Sequence, residues 1–370
     1  MPVIRPRHRI RRTRMGAGAF APAAATVDRL QDLAGGYSNP GNLRGRYYVP
    51  EGLKAPAPLV VVLHGCTQDA AVYDHGSGWS KLADRHGFAL LFPEQQRANN
   101  PMLCFNWFLD EDRRRGRGEA ASIRAMVEAV GKAHAIDERR IFVTGLSAGG
   151  AMAAAMLATY PDLFAAGAII AGVAYGCASG VAEAFECMGG RASAAAAELG
   201  GHVRRASVHK GPWPRVQVWQ GSADRTVVPS NAEAIVRQWT DLHGVGSTPD
   251  RIDEVAGYPR RVWTAADGTA LIEHVSVTGM AHGVPVDSGS GEHALGEAGA
   301  HMLDVGLSST GHIAAFFGIA PLPAVGVAPG VPRADATEPV PRRRNTARPE
   351  PANGVQATIE KALKAAGLMR

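Results

Sequence analysis

Two uninterrupted apolar runs constrain the fold of this chain more than any other feature of its sequence. Residues 59–63 are Leu-Val-Val-Val-Leu, and residues 166–171 are Ala-Gly-Ala-Ile-Ile-Ala. A strand with one face in water alternates apolar and polar side chains, so a short, continuous apolar run indicates a strand that is buried on both faces. Such strands occur in parallel sheets that are covered by helices on both sides. The two runs therefore predict an α/β fold.

The rest of the central sequence alternates β-rich and helical segments, which is typical of a parallel sheet with helical crossovers. We predict strands at residues 45–49, 59–63, 88–92, 140–144, 166–171, 215–219 and 271–277. We predict helices at residues 78–86, 119–134, 148–160, 231–243 and 311–317. This order predicts one mostly parallel central sheet with helices on both faces.

The positive charge of the chain comes from its two ends. The formal net charge is +5 at pH 7, but residues 1–14 carry six Arg and no acidic residue, and residues 321–370 carry eight Lys or Arg against four acidic residues. The sequence between these ends holds more acidic than basic residues. A basic tail can contact nucleic acid or an anionic surface, but an acidic body argues against nucleic-acid binding as the function. We expect no nucleic-acid partner.

Composition also predicts the domain boundaries. We expect a basic, flexible segment at residues 1–36 and a single α/β domain at residues 37–320. Residues 321–353 are rich in Pro and indicate a linker, and apolar residues at helical spacing predict a short amphipathic helix at residues 354–370. Residues 175–214 are rich in Ala and Gly and interrupt the alternation. They predict an excursion from the sheet, such as a small lid.

The sequence leaves the cellular compartment open. No run of 18 apolar residues is present, so we expect no transmembrane segment. The Arg-rich start precedes a weakly apolar stretch at residues 15–27, which has only part of the pattern of a secretory signal. The four cysteines show no C-x-x-C pair and no metal-like spacing with His: Cys66, Cys104, Cys177 and Cys187. A disulfide between any two of them would favour an oxidising compartment over the cytoplasm.

The predicted chemistry begins at residues 145–149, Gly-Leu-Ser-Ala-Gly, which form a G-x-S-x-G motif. The motif follows the predicted strand at 140–144 and opens the predicted helix at 148–160. This setting is that of the nucleophile elbow of α/β-hydrolases, in which a tight turn exposes the serine hydroxyl above the carboxyl edge of the sheet. The bare motif is a weak signal, and its strand–turn–helix context makes Ser147 the predicted nucleophile.

A serine hydroxyl needs a histidine to take its proton and a carboxylate to orient that histidine. In α/β-hydrolases the acid and then the histidine follow the serine, each on a loop after a strand. Asp224 follows the predicted strand at 215–219, and His282 follows the one at 271–277. We therefore predict a triad of Ser147, Asp224 and His282. Rival groups lie within predicted elements or away from strand ends: His274, His293, His301, His312, Asp241, Asp250 and Asp253.

An acyl-transfer site also needs N–H donors for the oxyanion of its tetrahedral intermediate. The residue after the nucleophile, Ala148, supplies one such donor. The second is expected from Leu63-His64-Gly65-Cys66, the loop that directly follows the strand at 59–63. We expect His64 to brace this loop rather than to transfer protons.

Taken together, these residues resemble the bacterial poly(3-hydroxybutyrate) depolymerase family of esterases, which are neighbours of the feruloyl and acetylxylan esterases. The similarity extends over residues 47–317. Its segments are LVVVLHGCTQDA, LADRHGFALLFPEQ, CFNWF followed by RGRGEAASI, RRIFVTGLSAGGAMAAAMLATYPDLFAA, WQGSADRTVVP and GMAH. The resemblance implies an α/β-hydrolase that is extracellular, cleaves esters through an acyl-enzyme and needs no metal or organic cofactor.

The resemblance also implies roles for individual residues. It assigns Ser147, Asp224 and His282 to the triad, and it assigns the backbone amides of Cys66 and Ala148 to the oxyanion hole. It further implies a disulfide between Cys66 and Cys104, and it implies that Trp107 forms part of the wall of the substrate cleft. For Trp107, a buried position in the core is the alternative.

Departures from the family pattern narrow the predicted substrate. Phe105 replaces the first Trp of the usual C-W-N-W sequence, and the Gly-rich segment after His282 lacks the expected Trp. No fibronectin-like module or separate polymer-binding domain is recognisable. We therefore expect short hydroxyalkanoate esters or poly(3-hydroxybutyrate) oligomers as substrates. A feruloyl or acetylxylan-type esterase is the alternative enzyme, and a non-catalytic polyester-granule-associated protein is the alternative of another class.

Overall fold

The computed structural model describes residues 27–191, 194–291 and 294–323. The strands are β1 (Gln31–Asp32), β2 (Arg44–Tyr48), β3 (Ala57–Leu63), β4 (Ala89–Glu94), β5 (Ile136–Leu146), β6 (Ala166–Ile170), β7 (Arg215–Gly221), β8 (Arg251–Val255), β9 (Tyr258–Thr264), β10 (Ala270–Val277), β11 (Val284–Val286) and β12 (Met302–Asp304). The helices are α1 (Ala70–Ser77), α2 (Trp79–His86), α3 (Asp110–Arg113), α4 (Gly118–His134), α5 (Ala148–Thr159), α6 (Val181–Met188), α7 (Ala196–Ala206), α8 (Ser230–His243) and α9 (Ser309–Phe317). The predicted helix at 354–370 and nearly all of the predicted linker at 321–353 lie outside the described residues.

The large sheet has the order β1-β2-β4-β3-β5-β6-β7-β10-β9-β8. The six strands from β4 to β10 in this order run parallel to their neighbours. The pairs at the two margins, which involve β1, β2, β8 and β9, are antiparallel. A separate parallel pair joins β11 to β12. The predicted α/β fold with a mostly parallel central sheet is confirmed.

Hydrophobic cores cover both faces of the sheet. All of β3 is buried, and its successive side chains enter the two cores in turn, with Val61 in one and Val60 and Val62 in the other. This division follows from the alternation of side chains along a strand. Helices α4, α5, α7 and α8 contribute to the first core, and α1, α2 and α9 contribute to the second. The continuous apolar sequence of β3 is thus explained by burial on both sides.

The folded domain begins earlier than the sequence predicts. A flexible segment is expected through residue 36, but β1 pairs with β2 in the structure. Leu30 is buried in the second core, and the Arg29 guanidinium forms a 2.6 Å ion pair with Asp84 of α2. The expectation is therefore wrong for residues 27–36. A two-residue strand is too short to produce a recognisable periodic pattern in the sequence.

Residues 175–214 include α6 and α7 and connect β6 to β7. The disulfide between Cys177 and Cys187 closes a small ring of chain that contains most of α6. Helix α7 packs against α8, where the amide of Gln238 donates to the backbone oxygens of Leu199 and Tyr175 at 2.9 Å each. At the end of α6, the carbonyl of Met188 accepts hydrogen bonds from the backbone amide of Val228 and the side-chain amide of Asn231 at 3.0 Å each, so the segment is attached to the domain at both of its helices. A lid that moves remains a prediction.

Candidate active site

Ser147 lies at the turn between β5 and α5. Its backbone has φ 57° and ψ −116°. Residues other than Gly rarely adopt such a positive φ, and it persists only where the surrounding structure enforces it. Its amide donates to the carbonyl of Ile170 on the neighbouring strand at 2.9 Å. The strained turn places the hydroxyl at the carboxyl edge of the parallel strands, as the strand–turn–helix context predicts.

The two glycines of the motif are required because the turn is crowded. A Cβ at Gly149 would lie 2.2 Å from the carbonyl oxygen of Leu63, and a Cβ at Gly145 would lie 2.5 Å from the carbonyl carbon of Gly149. Both distances are far inside van der Waals contact. The chain of β5 and α5 can therefore pass the end of β3 this closely only when both positions lack a side chain.

The structure brings Ser147, His282 and Asp224 together. The imidazole Nε2 of His282 is 2.9 Å from the Ser147 hydroxyl, and its Nδ1 is 2.7 Å from Oδ2 of Asp224. Asp224 follows β7 and His282 follows β10, two parallel neighbours whose carboxyl ends lie at the same edge of the sheet. The Asp224 side chain has no exposed surface, and that of His282 is 10% exposed. This geometry allows His282 to accept the serine proton while Asp224 holds the ring.

Further donors fix the carboxylate of Asp224. Its Oδ1 accepts hydrogen bonds from the amides of Thr226 and Val227 at 2.8 and 3.0 Å. Its Oδ2 accepts one from the side-chain amide of Gln220 at 3.2 Å, in addition to the one from His282. A buried carboxylate requires such partners because water cannot solvate it. The four donors leave Asp224 one orientation in which to hold the imidazole.

The loops that carry the acid and the base are bound directly to each other. The amides of Ser222 and Ala223 donate to the carbonyls of Val277 and Met280 at 3.0 Å each. The hydroxyl of Ser222 in turn accepts a hydrogen bond from the amide of Gly279 at 2.8 Å. Asp224 and His282 therefore belong to one rigid pair of loops rather than to two independent ones.

The loop after β3 lines the same cavity as Ser147 and contains a backbone amide without an acceptor among the described residues. Gly65 N–H donates to the side chain of Gln68 at 2.9 Å, and Thr67 N–H donates to the carbonyl of Met102 at 2.7 Å. Among the described residues, Cys66 N–H between them has no acceptor. Ala148 N–H is the first amide of α5 and so also lacks an intrahelical partner. Both groups are suited to hold a developing oxyanion.

His64 is buried beneath this loop, and its two ring nitrogens have partners. The amide of Gln95 donates to Nε2 at 3.1 Å, so Nδ1 carries the proton and donates to the carbonyl of Gly65 at 2.8 Å. Complete burial lowers the pKa of His64 and keeps the ring neutral. Phe105, the departure from the family pattern, packs on this ring at 5.0 Å between centroids. His64 thus braces the loop and does not reach Ser147.

A buried carboxyl group holds the neighbouring loop that carries Cys104 and Trp107. Glu119 of α4 accepts hydrogen bonds at 2.9 Å from the backbone and the side-chain amides of Asn106, and it accepts a third from Gln95. Burial, reinforced by the negative charge of Asp112, raises the pKa of Glu119 to about 8. Glu119 was not predicted as a site residue, because a single Glu in a helix carries no sequence signal of burial.

An apolar cavity opens beside the triad. The cavity and the open solvent at its mouth together comprise about 840 Å³ of empty space. Its walls come from the nucleophile elbow, the loop after β3, residues 100–108 and α6. Apart from the triad it is lined mainly by apolar groups, among them Met102, Trp107, Phe108, Leu146, Ala151, Val173, Val181, Ala184, Phe185 and Met188. Such a cavity accommodates the hydrocarbon part of an acyl group and excludes water from the reacting carbonyl.

Trp107 fits both positions considered from the sequence, the wall of the substrate cleft and the buried core. It lines the cavity, yet it is only 8% exposed and packs edge-to-face against Phe108 at 5.5 Å. The adjoining disulfide joins Cys66 to Cys104 and so connects the loop after β3 to the loop that carries Trp107. The second disulfide, Cys177–Cys187, fixes α6. The pairing of these two cysteines was not predicted from the sequence.

His301, one of the rival bases in the sequence, lines the cavity but makes no hydrogen bond with Ser147. It lines the wall next to His282. His274 is buried in β10 and His312 is buried in α9, both away from the cavity, and His293 lies outside the described residues.

In the described part of the chain, no group of three His, Cys, Asp or Glu side chains is arranged to hold a metal ion. Every helix described is too short or too polar to span a bilayer.

An α/β-hydrolase fold with a serine elbow, and with an acid and a histidine at the adjoining strand ends, defines a serine hydrolase. Comparison with known proteins agrees and is more specific. The family model named Esterase PHB depolymerase matches residues 44–255. The chain is 47% identical over 301 residues to poly(3-hydroxyalkanoate) depolymerase C of Paucimonas lemoignei, covering 81% of this chain and 72% of that protein. The chain belongs to the esterase PHB depolymerase family, and it is a serine hydrolase that acts on ester bonds.

More distant relatives include carbohydrate esterases. An acetylxylan esterase of Coprinopsis cinerea is 34% identical, with 72% of this chain and 73% of the relative covered. Feruloyl esterase B of Thermothelomyces thermophilus is also 34% identical, with 68% and 88% covered. The solved structure of an acetyl xylan esterase from Aspergillus awamori superposes with a TM-score of 0.66 at 24% identity, over 79% of this chain and 99% of that one. This last similarity concerns the fold alone.

Proposed function

We propose that this enzyme hydrolyses short hydroxyalkanoate esters or poly(3-hydroxybutyrate) oligomers, with Ser147 as nucleophile, His282 as general base and Asp224 as the acid that orients it. The observation that carries the assignment is the position of His282, at 2.9 Å from the serine hydroxyl and 2.7 Å from the carboxylate, beside an apolar cavity. The distances are those of hydrogen bonds along which a proton can transfer.

The proposed reaction has two halves. The Ser147 oxygen attacks the ester carbonyl while Nε2 of His282 takes its proton, and the amides of Cys66 and Ala148 hold the resulting oxyanion. When the carbon–oxygen bond to the alcohol breaks, His282 returns the proton to the departing oxygen and leaves an acyl group on Ser147. Water, deprotonated by the same imidazole, then attacks the acyl-enzyme. The second tetrahedral intermediate expels the serine oxygen, which regains its proton, and the carboxylic acid is released.

The proposed substrate class is supported by the cavity and by the relatives. The lining of the cavity is apolar and suits an aliphatic acyl chain. The relative with 47% identity is named a poly(3-hydroxyalkanoate) depolymerase, whereas the named acetylxylan and feruloyl esterases are 34% identical. We therefore favour hydroxyalkanoates. A carbohydrate esterase is the second candidate, favoured by the 34% identity to the acetylxylan and feruloyl esterases.

We also infer an extracellular location. The structure contains two disulfides and, among the described residues, no free cysteine. Disulfides form and persist in oxidising compartments and are rare in the cytoplasm. A cytoplasmic enzyme would instead present these four cysteines as thiols, which thiol labelling of the protein isolated from its native cells would reveal.

Hydrolysis by two serine variants tests the catalytic assignment. Ser147→Ala removes the nucleophile but leaves the elbow backbone in place, so we expect it to retain the far-UV circular dichroism of the wild type and lose turnover. Ser207→Ala, at the end of α7 and outside the cavity lining, is the matched control and should remain active. Near-wild-type esterase activity in Ser147→Ala would refute the assignment. Failure of Ser147 to react with an organophosphonate would favour the non-catalytic, granule-associated alternative.

A substrate panel tests the proposed specificity. We expect turnover of p-nitrophenyl esters with short acyl chains and of hydroxybutyrate oligomers, slower release from polymer film, and little hydrolysis of methyl ferulate or acetylated xylan. The opposite order, with methyl ferulate or acetylated xylan hydrolysed fastest, would replace the hydroxyalkanoate assignment by that of a carbohydrate esterase. It would leave the serine mechanism unaffected.

A further inference from the structure

The catalytic cavity contains a histidine that the proposed mechanism does not use. His301 lines the cavity beside His282, with the two rings edge-to-face and their centroids 5.9 Å apart. It is not hydrogen-bonded to Ser147 or Asp224, whose partners have been described. Its ring is therefore close to the reacting carbonyl without being part of the proton-transfer chain.

The backbone holds His301 in a fixed position. The residue has a left-handed φ of 61° in the turn before β12, and its carbonyl accepts a 2.8 Å hydrogen bond from the amide of Val284. A Cβ at Gly283 would come within 2.8 Å of the same carbonyl oxygen, so only glycine fits there. The side chain of Gln68, which also holds Gly65, reaches the adjacent carbonyl of Ala300 at 3.5 Å. The turn is thus packed between the base loop and the oxyanion loop.

The contacts of the His301 ring define its tautomer. Nδ1 is 3.3 Å from the backbone carbonyl oxygen of His282. A carbonyl can only accept, so Nδ1 is the nitrogen that carries the proton in this contact. In the neutral ring, Nε2 is then a bare acceptor. No described residue donates to it, and the ring lines the cavity.

This acceptor is unusual among the groups around it. Asn100, another polar residue of the lining, is already engaged, because its amide donates to Asn106 at 3.0 Å and its oxygen accepts from the amide of Met102 at 2.9 Å. Most of the remaining lining is apolar. Binding is disfavoured when an apolar substrate displaces water from an acceptor and offers no donor in its place. Binding is favoured when the substrate offers a donor to that acceptor. On this argument a substrate that brings a hydroxyl group to His301 would be favoured over one that does not.

We propose that Nε2 of His301 accepts a hydrogen bond from the hydroxyl of a hydroxyacyl substrate and thereby selects hydroxyacyl esters over plain acyl esters. The inference rests on the proposed function and names a specificity determinant for it. A 3-hydroxyl is two carbons from the ester carbonyl, and His301 lies next to the histidine that serves that carbonyl. His301 takes no proton in the reaction, so its contribution is to substrate selection.

Three p-nitrophenyl esters that differ at one position test the proposal: butyryl, 3-hydroxybutyryl and 3-methoxybutyryl. The methoxy compound retains the oxygen but cannot donate a hydrogen bond. One neutral hydrogen bond to a buried acceptor corresponds to about tenfold in kcat/KM. We expect the wild-type enzyme to prefer the hydroxy ester to the methoxy ester by about this factor. A wild-type enzyme without that preference would overturn the inference.

Two variants assign the preference to the residue. His301→Leu should lose the preference, because activity on the hydroxy ester falls relative to that on the butyryl and methoxy esters, which no longer desolvate an acceptor without replacing its hydrogen bond. His301→Gln, whose side-chain oxygen can accept, should recover part of the preference. The ratio of two substrates measured on one preparation is independent of the fraction of folded enzyme. A preference unchanged in His301→Leu, or an equal loss on all three esters, would overturn the proposal. Either result leaves the serine esterase assignment intact, because that assignment is tested separately by Ser147→Ala and by organophosphonate labelling.

Discussion

The two disulfides provide a matched pair for testing how each closed loop contributes to stability. The Cys66–Cys104 bond closes a loop of 38 residues, and the Cys177–Cys187 bond closes one of 10. We consider two double variants, in which both cysteines of one disulfide are replaced by Ala. In the chain-entropy model a cross-link stabilises by restricting the unfolded chain, and its effect grows with the logarithm of loop length.

This model predicts different losses for the two variants. Removal of Cys66–Cys104 should lower the free energy of unfolding by about 3.9 kcal/mol, and removal of Cys177–Cys187 should lower it by about 2.7 kcal/mol. The difference of about 1.2 kcal/mol depends only on the ratio of the loop lengths. Urea unfolding followed by circular dichroism measures both values, with equal slopes required for the comparison.

The same variants should differ in their kinetics because the disulfides hold different parts of the site. Cys66 carries an amide of the proposed oxyanion hole, so loss of its disulfide should lower kcat by about 10- to 100-fold, below the full effect of deleting a donor. The Cys177–Cys187 ring holds α6, which lines the cavity but does not touch the reacting atoms, so its loss should mainly raise KM. An equal or larger stability loss for the short loop would refute the entropy argument. An unchanged kcat without Cys66–Cys104 would refute the positioning argument.

Three further predictions follow from contacts described above. Asp224→Asn should lower kcat by about 10⁴-fold, because an amide no longer enforces the tautomer that leaves Nε2 free; a loss below tenfold would contradict the role of Asp224. The pKa of Glu119 is raised to about 8 from 4.5. Between pH 4.5 and about pH 8, Glu119 therefore keeps its proton in the folded protein and loses it in the unfolded chain, so the free energy of unfolding falls as the pH rises. The excess stability of the wild type over Glu119→Gln in urea should therefore shrink from about pH 5 to about pH 8, and a constant difference would contradict this. Gly149→Ala should destabilise the protein by more than about 2 kcal/mol in thermal unfolding. The control Gly131→Ala, in α4 with no atom within 4 Å of the added Cβ, should not. Equal effects of the two substitutions would contradict the steric argument.

The central part of the fold was predictable because its strands are buried on both faces. Continuous apolar runs identified β3 and β6, and in the structure β3 begins two residues before its predicted start and β6 ends one residue before its predicted end. The hairpin of β8 and β9 was missed. Its strands lie at the sheet margin, and β8 is largely exposed, with Arg260 paired to Asp253 across the hairpin. Charged residues in water give little periodic signal of a strand.

The site was predictable to the extent that chain order and strand ends determine it. Ser147, Asp224 and His282 each follow a strand of the parallel sheet, and topology brings such positions to one edge. His301 was set aside because it follows no predicted strand. Only the three-dimensional path of the turn before β12 brings it beside His282. The Cys66–Cys104 pairing came from the family resemblance, and the spacing of Cys177 and Cys187 contained no signal for theirs.

The small ring closed by Cys177 and Cys187 has a practical consequence for altering this enzyme. Four apolar residues of α6 face the cavity: Val181, Ala184, Phe185 and Met188. The segment that carries them is covalently closed near both ends and contributes no atom to the triad or to the oxyanion hole. The sequence of this segment can therefore be varied as a unit. A library confined to these four positions would sample cavities for longer, shorter or bulkier acyl chains while the bond-breaking atoms keep their places.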